Sequence, residues 1–93
     1  LTESHTVKRT DGVSYRLAPT EYRILLFLMT HPRQHYGADE LYERIWNRPS
    51  IGDSRTVAVH VFNLRKKIEE DPEDARFLKN IWGKGYCFDP DPE

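Results

Sequence analysis

Apolar side chains recur along this chain in two periods, and each change of period marks a boundary between elements. Near the start Val13, Tyr15 and Leu17 alternate with polar residues, so VSYRL reads as a strand. Together with HTVKR across Asp11-Gly12 it predicts a short β-hairpin. After Pro19 the alternation stops. The run YRILLFLM is apolar on most sides and predicts a centrally placed helix, with Thr20 as N-cap, Glu21 where the helix dipole favours an acid, and a stop at His31-Pro32. ADELYERIW predicts a second helix that turns Leu41, Ile45 and Trp46 to one side, with Pro49 blocking continuation. Beyond the loop NRPSIGD comes SRTVAVHVFNLRKKIEEDPED. At about 100° per residue, Val57, Val61, Leu64 and Ile68 fall within roughly 60° of one another and form a core-facing stripe of a third helix.

RFLKNIW and GYCF then flank Gly83-Lys84-Gly85, whose glycines can supply the positive φ of a tight reversal, so a second hairpin is expected. Ile81, Tyr86 and Phe88 are expected to pack inward, while Asn80 and Trp82 share a face by parity and Lys84 stands at the tip. The closing DPDPE has no apolar residue and is expected to be disordered, which gives one domain over residues 1–88 and an acidic tail over 89–93.

The third helix raises the question of function, because the side opposite its stripe does not look like an ordinary solvated face. Arg55, Val59, Phe62 and Lys66 lie there, with Thr56 and Asn63 on one shoulder. Cations and an amide mixed with two apolar side chains suit a DNA major groove: Asn can bond adenine bidentately, Lys can reach guanine or phosphate, and Val or Phe can touch thymine methyls. A solvated face carrying a stray Phe is the alternative, since single exposed apolar residues are common.

Charge sharpens the first reading once it is resolved along the chain. The formal net charge is only −1. Yet residues 54–68 hold Arg55, Arg65, Lys66 and Lys67 without an acid, and residues 75–88 hold Arg76, Lys79 and Lys84 without one. Between them Glu69, Glu70, Asp71, Glu73 and Asp74 cancel the first patch; the first three sit where the helix dipole disfavours them and are expected to mark a solvent-facing turn. Two basic patches on adjacent elements are the electrostatic footprint of a phosphate backbone. A basic helix beside a basic hairpin has the layout of helix-turn-helix readers that add a wing in the neighbouring minor groove.

Other chemistries find little here. Ninety-three residues suffice for one small core, and no apolar run approaches the roughly 18 residues of a membrane span. Leu1 in place of a start methionine and the lack of a signal-peptide pattern suggest a piece of a longer cytoplasmic chain. The single Cys87, between Tyr86 and Phe88, reads as a packing residue. His31 and His35 have i, i+4 spacing, but Pro32 intervenes and no further ligand completes a zinc set, so no metal is expected. No nucleophile elbow or phosphate-binding loop appears, and GKG is too short to be one; no cofactor and no enzymatic activity are expected.

Four runs in order, APTEYRILLFLMTHP, ELYERIW, DSRTVAVHVFNLRKKIE and FLKNIWGKGYCF, resemble the C-terminal effector domain of bacterial two-component response regulators of the OmpR/PhoB type. RTVxVHxxxLRKK followed by GxGY is the most specific pair, and the likeness covers nearly the whole chain. It implies an α+β winged helix-turn-helix: three helices, a short N-terminal antiparallel β-sheet and a C-terminal β-hairpin wing. The family's N-terminal sheet usually has more strand than this sequence supplies. The resemblance further implies an N-terminal receiver domain in the intact bacterial protein, and an isolated domain that is monomeric but binds direct-repeat promoter DNA as a head-to-tail dimer. It also implies contact with RNA polymerase through the loop between the second and third helices, here Asn47, Arg48, Pro49, Ser50, Ile51, Gly52 and Asp53.

Carried onto this chain, the family pattern places Arg55 and Thr56 on phosphates at the start of the recognition helix, Arg65 at a recurrent phosphate-binding arginine, and His60 near the backbone. Trp46 matches a tryptophan whose indole N–H can donate to a phosphate, with a core position as the alternative. Val59, Phe62, Asn63 and Lys66 occupy base-facing positions; Phe62 and Asn63 replace an arginine pair found in some members, which favours thymine contact over guanine readout. Asn80, Trp82 and Lys84 fall on the wing, with Trp82 where some members carry a minor-groove arginine. Gly37 replaces a frequent Ser at the second helix's N-cap, at a cost of only a few tenths of a kcal/mol. The rival reading is a winged-helix module that binds protein without DNA, favoured by EEDPED and by the near-neutral total charge.

Overall fold

Helix α1 (Pro19–Met29) runs through the middle of the molecule in a computed structural model whose described residues are 5–91. Ile24, Leu25 and Leu28 are its buried side and meet the two other helices and the second hairpin. Its start is set by Pro19 at the first helical position, where a missing N–H costs nothing. Ala18, rather than the expected Thr20, is the N-cap; having no side-chain acceptor, it is served by Glu21, whose carboxylate accepts the Ala18 N–H at 3.0 Å. Glu21 is itself buried and also accepts from Lys67 Nζ at 2.6 Å, which ties this helix end to the last turn of α3 (Arg55–Ile68). Thr30 closes α1 just before His31-Pro32.

Helix α2 (Ala38–Trp46) starts from Gly37 as N-cap, with Asp39 and Glu40 in its first turn. Leu41 and Ile45 are buried and Trp46 half-buried, as the spacing implies; Tyr42, one position along, is buried as well. The helix does not run on to Pro49. It ends at Asn47, which takes the left-handed conformation (φ 56°) that Asn tolerates better than most residues. Arg23 Nη2 donates to the Ile45 carbonyl, so α1 satisfies one of the last acceptors of α2.

In α3 the stripe Val57, Val61, Leu64 and Ile68 is buried in full, and Arg65, Lys66 and Lys67 in its last turn complement the dipole. Strands β1 (Thr6–Lys8) and β2 (Ser14–Arg16) pair antiparallel with Val7 opposite Tyr15, and β3 (Leu78–Ile81) pairs antiparallel with β4 (Gly85–Phe88) with Asn80 opposite Tyr86. The two sheets are separate. Beside β4, Tyr36 exchanges both backbone hydrogen bonds with Tyr86 at 2.9 and 2.8 Å, so Tyr86, Cys87 and Phe88 are all buried and the in-out alternation is lost. Gly85 (φ 108°) is required there, since a Cβ would overlap the Tyr36 carbonyl. Ile81, expected inward, is exposed, because β3 emerges from the core before the turn.

The largest departure concerns the acids after α3. Glu70 and Asp71 do face solvent, and Asp71 accepts the Glu73 N–H at 3.1 Å to start a short 3-10 turn (Pro72–Asp74). Glu69 does not: it is only 1% exposed and turned into the protein. Beyond β4, Asp89 and Asp91 form ion pairs with Arg33 at 3.7 and 3.1 Å, while residues 92 and 93 of the expected tail lie outside the described range. Among the described residues no helix is long and apolar enough to cross a membrane.

Candidate nucleic-acid interface

Exposed side chains gather on the outer side of α3 and on the wing. Val59 and Phe62 are 58% and 55% exposed on α3, although both are apolar. Lys66 sits beside them with Nζ 4.4 Å from the centroid of the Phe62 ring, a cation–π contact that holds the ring's cationic neighbour outward. Arg55 is exposed one turn before Val59, and Thr56, His60 and Asn63 line the shoulder, half-buried. Among the described residues the side chains of Arg55, Asn63, Lys66 and Lys84 have no hydrogen-bond or ion-pair partner, so their donors are free for another molecule.

Trp46 closes this face on the α2 side. Its ring stacks on Tyr42 at 4.7 Å and lies 5.8 Å from the His60 ring, while its indole N–H has no partner among the described residues. Its packing is thus half core and half surface. Arg65 is different: its Nε donates to the Leu78 carbonyl at 3.0 Å, so one nitrogen of the guanidinium is committed to the fold and the terminal ones are not. Trp82, at 95% exposure, forms the wing tip with Gly83 (φ 79°) and Lys84, whose N–H closes the turn onto the Ile81 carbonyl at 2.9 Å. Asn80 is exposed on β3 below it.

The loop Asn47–Asp53 joins α2 to α3 and is held by α2. Tyr42 Oη donates to Asp53 Oδ2 at 2.6 Å and accepts from Arg48 Nε at 2.8 Å. Ser50 donates its N–H to Glu43 and its hydroxyl to Asp39 Oδ1, at 2.9 and 2.8 Å. The Tyr42 hydroxyl holds the Asp53 carboxyl below its ordinary range, and the Ser54 and Ser50 hydroxyls do so for Asp39. The result is a stiff loop that leaves Ile51 at 87% exposure. Sequence reasoning placed this loop but missed its latch; the tyrosine on the second helix with an acid eleven positions later was the available signal.

Residues 12–88 match the family model described as "Transcriptional regulatory protein, C terminal". The chain belongs to this family. It is an effector domain of the OmpR/PhoB type, from a family of DNA-binding domains and not of enzymes. The uncharacterized transcriptional regulatory protein YclJ of Bacillus subtilis is 44% identical over 75 residues, which is 81% of this chain and 32% of that protein. The C-terminal domain of the nisin resistance regulator NsrR, a lantibiotic response regulator, superposes with a TM-score of 0.77 at 34% identity, covering 99% of this chain and 91% of that one. The Klebsiella pneumoniae RstA DNA-binding domain, solved in complex with the RstA box, gives a TM-score of 0.76 at 28% identity over 89% of this chain and 82% of that one. The effector domain spans about a third of the length of the curated relatives it matches. Its fold is accordingly the α+β winged helix-turn-helix, with α2 and α3 as the helix pair and β3–β4 as the wing.

Proposed function

We propose that this effector domain binds double-stranded DNA sequence-specifically and thereby controls transcription, with α3 in the major groove and the wing at the adjacent minor groove. The observation that carries the reading is the outer face of α3, where two exposed apolar side chains stand among cations and an amide that have no hydrogen-bond or ion-pair partner among the described residues. Plain water offers Val59 and Phe62 nothing, whereas thymine methyls do, and Asn63 and Lys66 are free to meet adenine and guanine or phosphate. Arg55, Thr56, His60, Arg65 and the Trp46 indole N–H surround that face as phosphate contacts, which set register without reading sequence. Asn80, Trp82 and Lys84 serve the minor groove, the indole packing against sugars and Lys84 reaching the backbone.

In the intact bacterial protein, a cytoplasmic response regulator of a two-component pair, an N-terminal receiver domain controls assembly. The domain, monomeric alone, binds direct repeats as a head-to-tail dimer, and the stiff loop 47–53 presents Ile51 to RNA polymerase. Selection of bound sequences from a random duplex pool tests the core of this reading. A defined motif is expected, and Asn63→Ala should relax one base position while the rest of the motif survives. A motif unchanged by Asn63→Ala removes Asn63 from base readout, and no enrichment at all favours the protein-binding module instead.

A further inference from the structure

Between α3 and the wing lies a buried polar connection that shares only Arg65 with the surface just described. Glu69, the residue that ends α3, directs its carboxylate at three consecutive backbone N–H groups. Oε1 accepts from Arg76 at 2.9 Å, Oε2 from Leu78 at 2.8 Å, and Phe77 is shared between them at 3.3 and 3.0 Å. Four residues earlier, on the same side of the helix, Arg65 Nε donates to the Leu78 carbonyl at 3.0 Å. The two side chains therefore hold both backbone groups of one residue, the first of β3.

Sheet geometry explains why these groups are available. Successive residues of a strand turn their N–H and C=O to opposite sides. The Phe77 carbonyl faces β4 and accepts the Asp89 N–H at 2.8 Å, so Leu78 faces away from β4 along the free edge of β3. An edge strand needs partners for such groups, and here the helix supplies them. A carboxylate that accepts several N–H bonds in a buried site fixes direction as well as distance, because each bond is short-ranged and angular. The chain between the two elements is a 3-10 turn with exposed acids and few apolar side chains, which by itself would not fix where the wing stands.

We infer that Glu69 and Arg65 are positioning residues that lock the wing to α3, and so set the step between the base pairs read in the major groove and those met in the minor groove. The inference rests on the DNA-binding reading above. It assigns Arg65 a second role besides phosphate contact, through Nε rather than the terminal nitrogens. It also gives a purpose to an acid buried between two basic patches, where a phosphate-binding surface would otherwise exclude one.

The test separates the two grooves on one duplex taken from the selection experiment. Replacing adenine by 2,6-diaminopurine under the wing adds a minor-groove amino group and leaves the pair's major-groove pattern intact; replacing thymine by uracil under α3 removes only a major-groove methyl. The parent chain is expected to bind each altered duplex at least about fivefold more weakly. Glu69→Gln should keep the thymine preference and bring the diaminopurine ratio to within about twofold of one. Arg65→Lys, which keeps the charge but loses the planar Nε donor, should shift the ratios the same way, and it carries the test if circular dichroism shows Glu69→Gln to be unfolded. If both ratios survive in the folded variants, or both fall together, the positioning role is wrong. A parent chain indifferent to diaminopurine contradicts the minor-groove reading on which the role rests.

Discussion

The two flanks of α3 carry similar residues and do opposite things. On the inner flank the charged groups near the C-terminal end are engaged by the fold: Arg65 through Nε on Leu78, Lys67 on Glu21 and the Arg16 carbonyl, Glu69 on β3, with Glu70 receiving Thr10 Oγ1. On the outer flank Arg55, Asn63 and Lys66 have no hydrogen-bonded partner among the described residues, and Phe62 and Val59 have no cover. Counting basic residues cannot separate the flanks; asking which donors already have acceptors does. The inner charges make the helix a fixed part of the domain, and the outer ones are left for a ligand.

Substitutions on the two flanks should therefore differ in what they damage. Glu69→Ala leaves three backbone N–H groups without their acceptor and removes a buried carboxylate. It is expected to cost about 3 kcal/mol or more in a urea denaturation, and a loss below about 1 kcal/mol would mean that water replaces the carboxylate. Lys67→Ala leaves the Glu21 carboxylate buried with only the Ala18 N–H, and should cost about 1–3 kcal/mol by the same measurement. Phe62→Ala lies at the other extreme: stability should change by no more than about 0.5 kcal/mol, while affinity for a selected duplex falls clearly. A Phe62→Ala chain that unfolds more readily but binds as before would reverse the assignment of the flanks.

Much of this contrast was legible in the sequence, and what was not has specific causes. A helical period exposes itself through spacing, so the stripe Val57, Val61, Leu64 and Ile68, and with it the outer face, is legible in the sequence. The hairpins followed from glycine and parity. Glu69 was misplaced because an acid after a cationic helix and before a proline normally faces water; its burial depends on backbone N–H groups seven to nine residues later, which no periodicity reports. Side-chain chemistry favours Thr20 as a cap, yet Pro19 at the first helical position starts the helix two residues earlier. Pro49 drew attention from Asn47, whose left-handed conformation ends α2 first. Ile81 follows the strand's parity but lies beyond the part of β3 that the core covers. Exposure of Val59, Phe62 and Trp82 was foreseeable, whereas the partners that bind up Arg65 and Lys67 required the tertiary structure.

The most direct measurement is the affinity of the parent chain and of Arg55→Ala and Lys66→Ala for one selected duplex across a range of salt concentrations. For the parent, the logarithm of affinity is expected to fall steeply and linearly with that of salt, because each neutralised phosphate releases counterions. Arg55→Ala should reduce the slope by about one with sequence preference intact. Lys66→Ala should reduce it similarly if Nζ meets phosphate, and alter base preference if it meets guanine. An affinity that does not respond to salt, or slopes that neither substitution alters while base preference also stays fixed, would contradict the assignment of this free face of α3 to DNA.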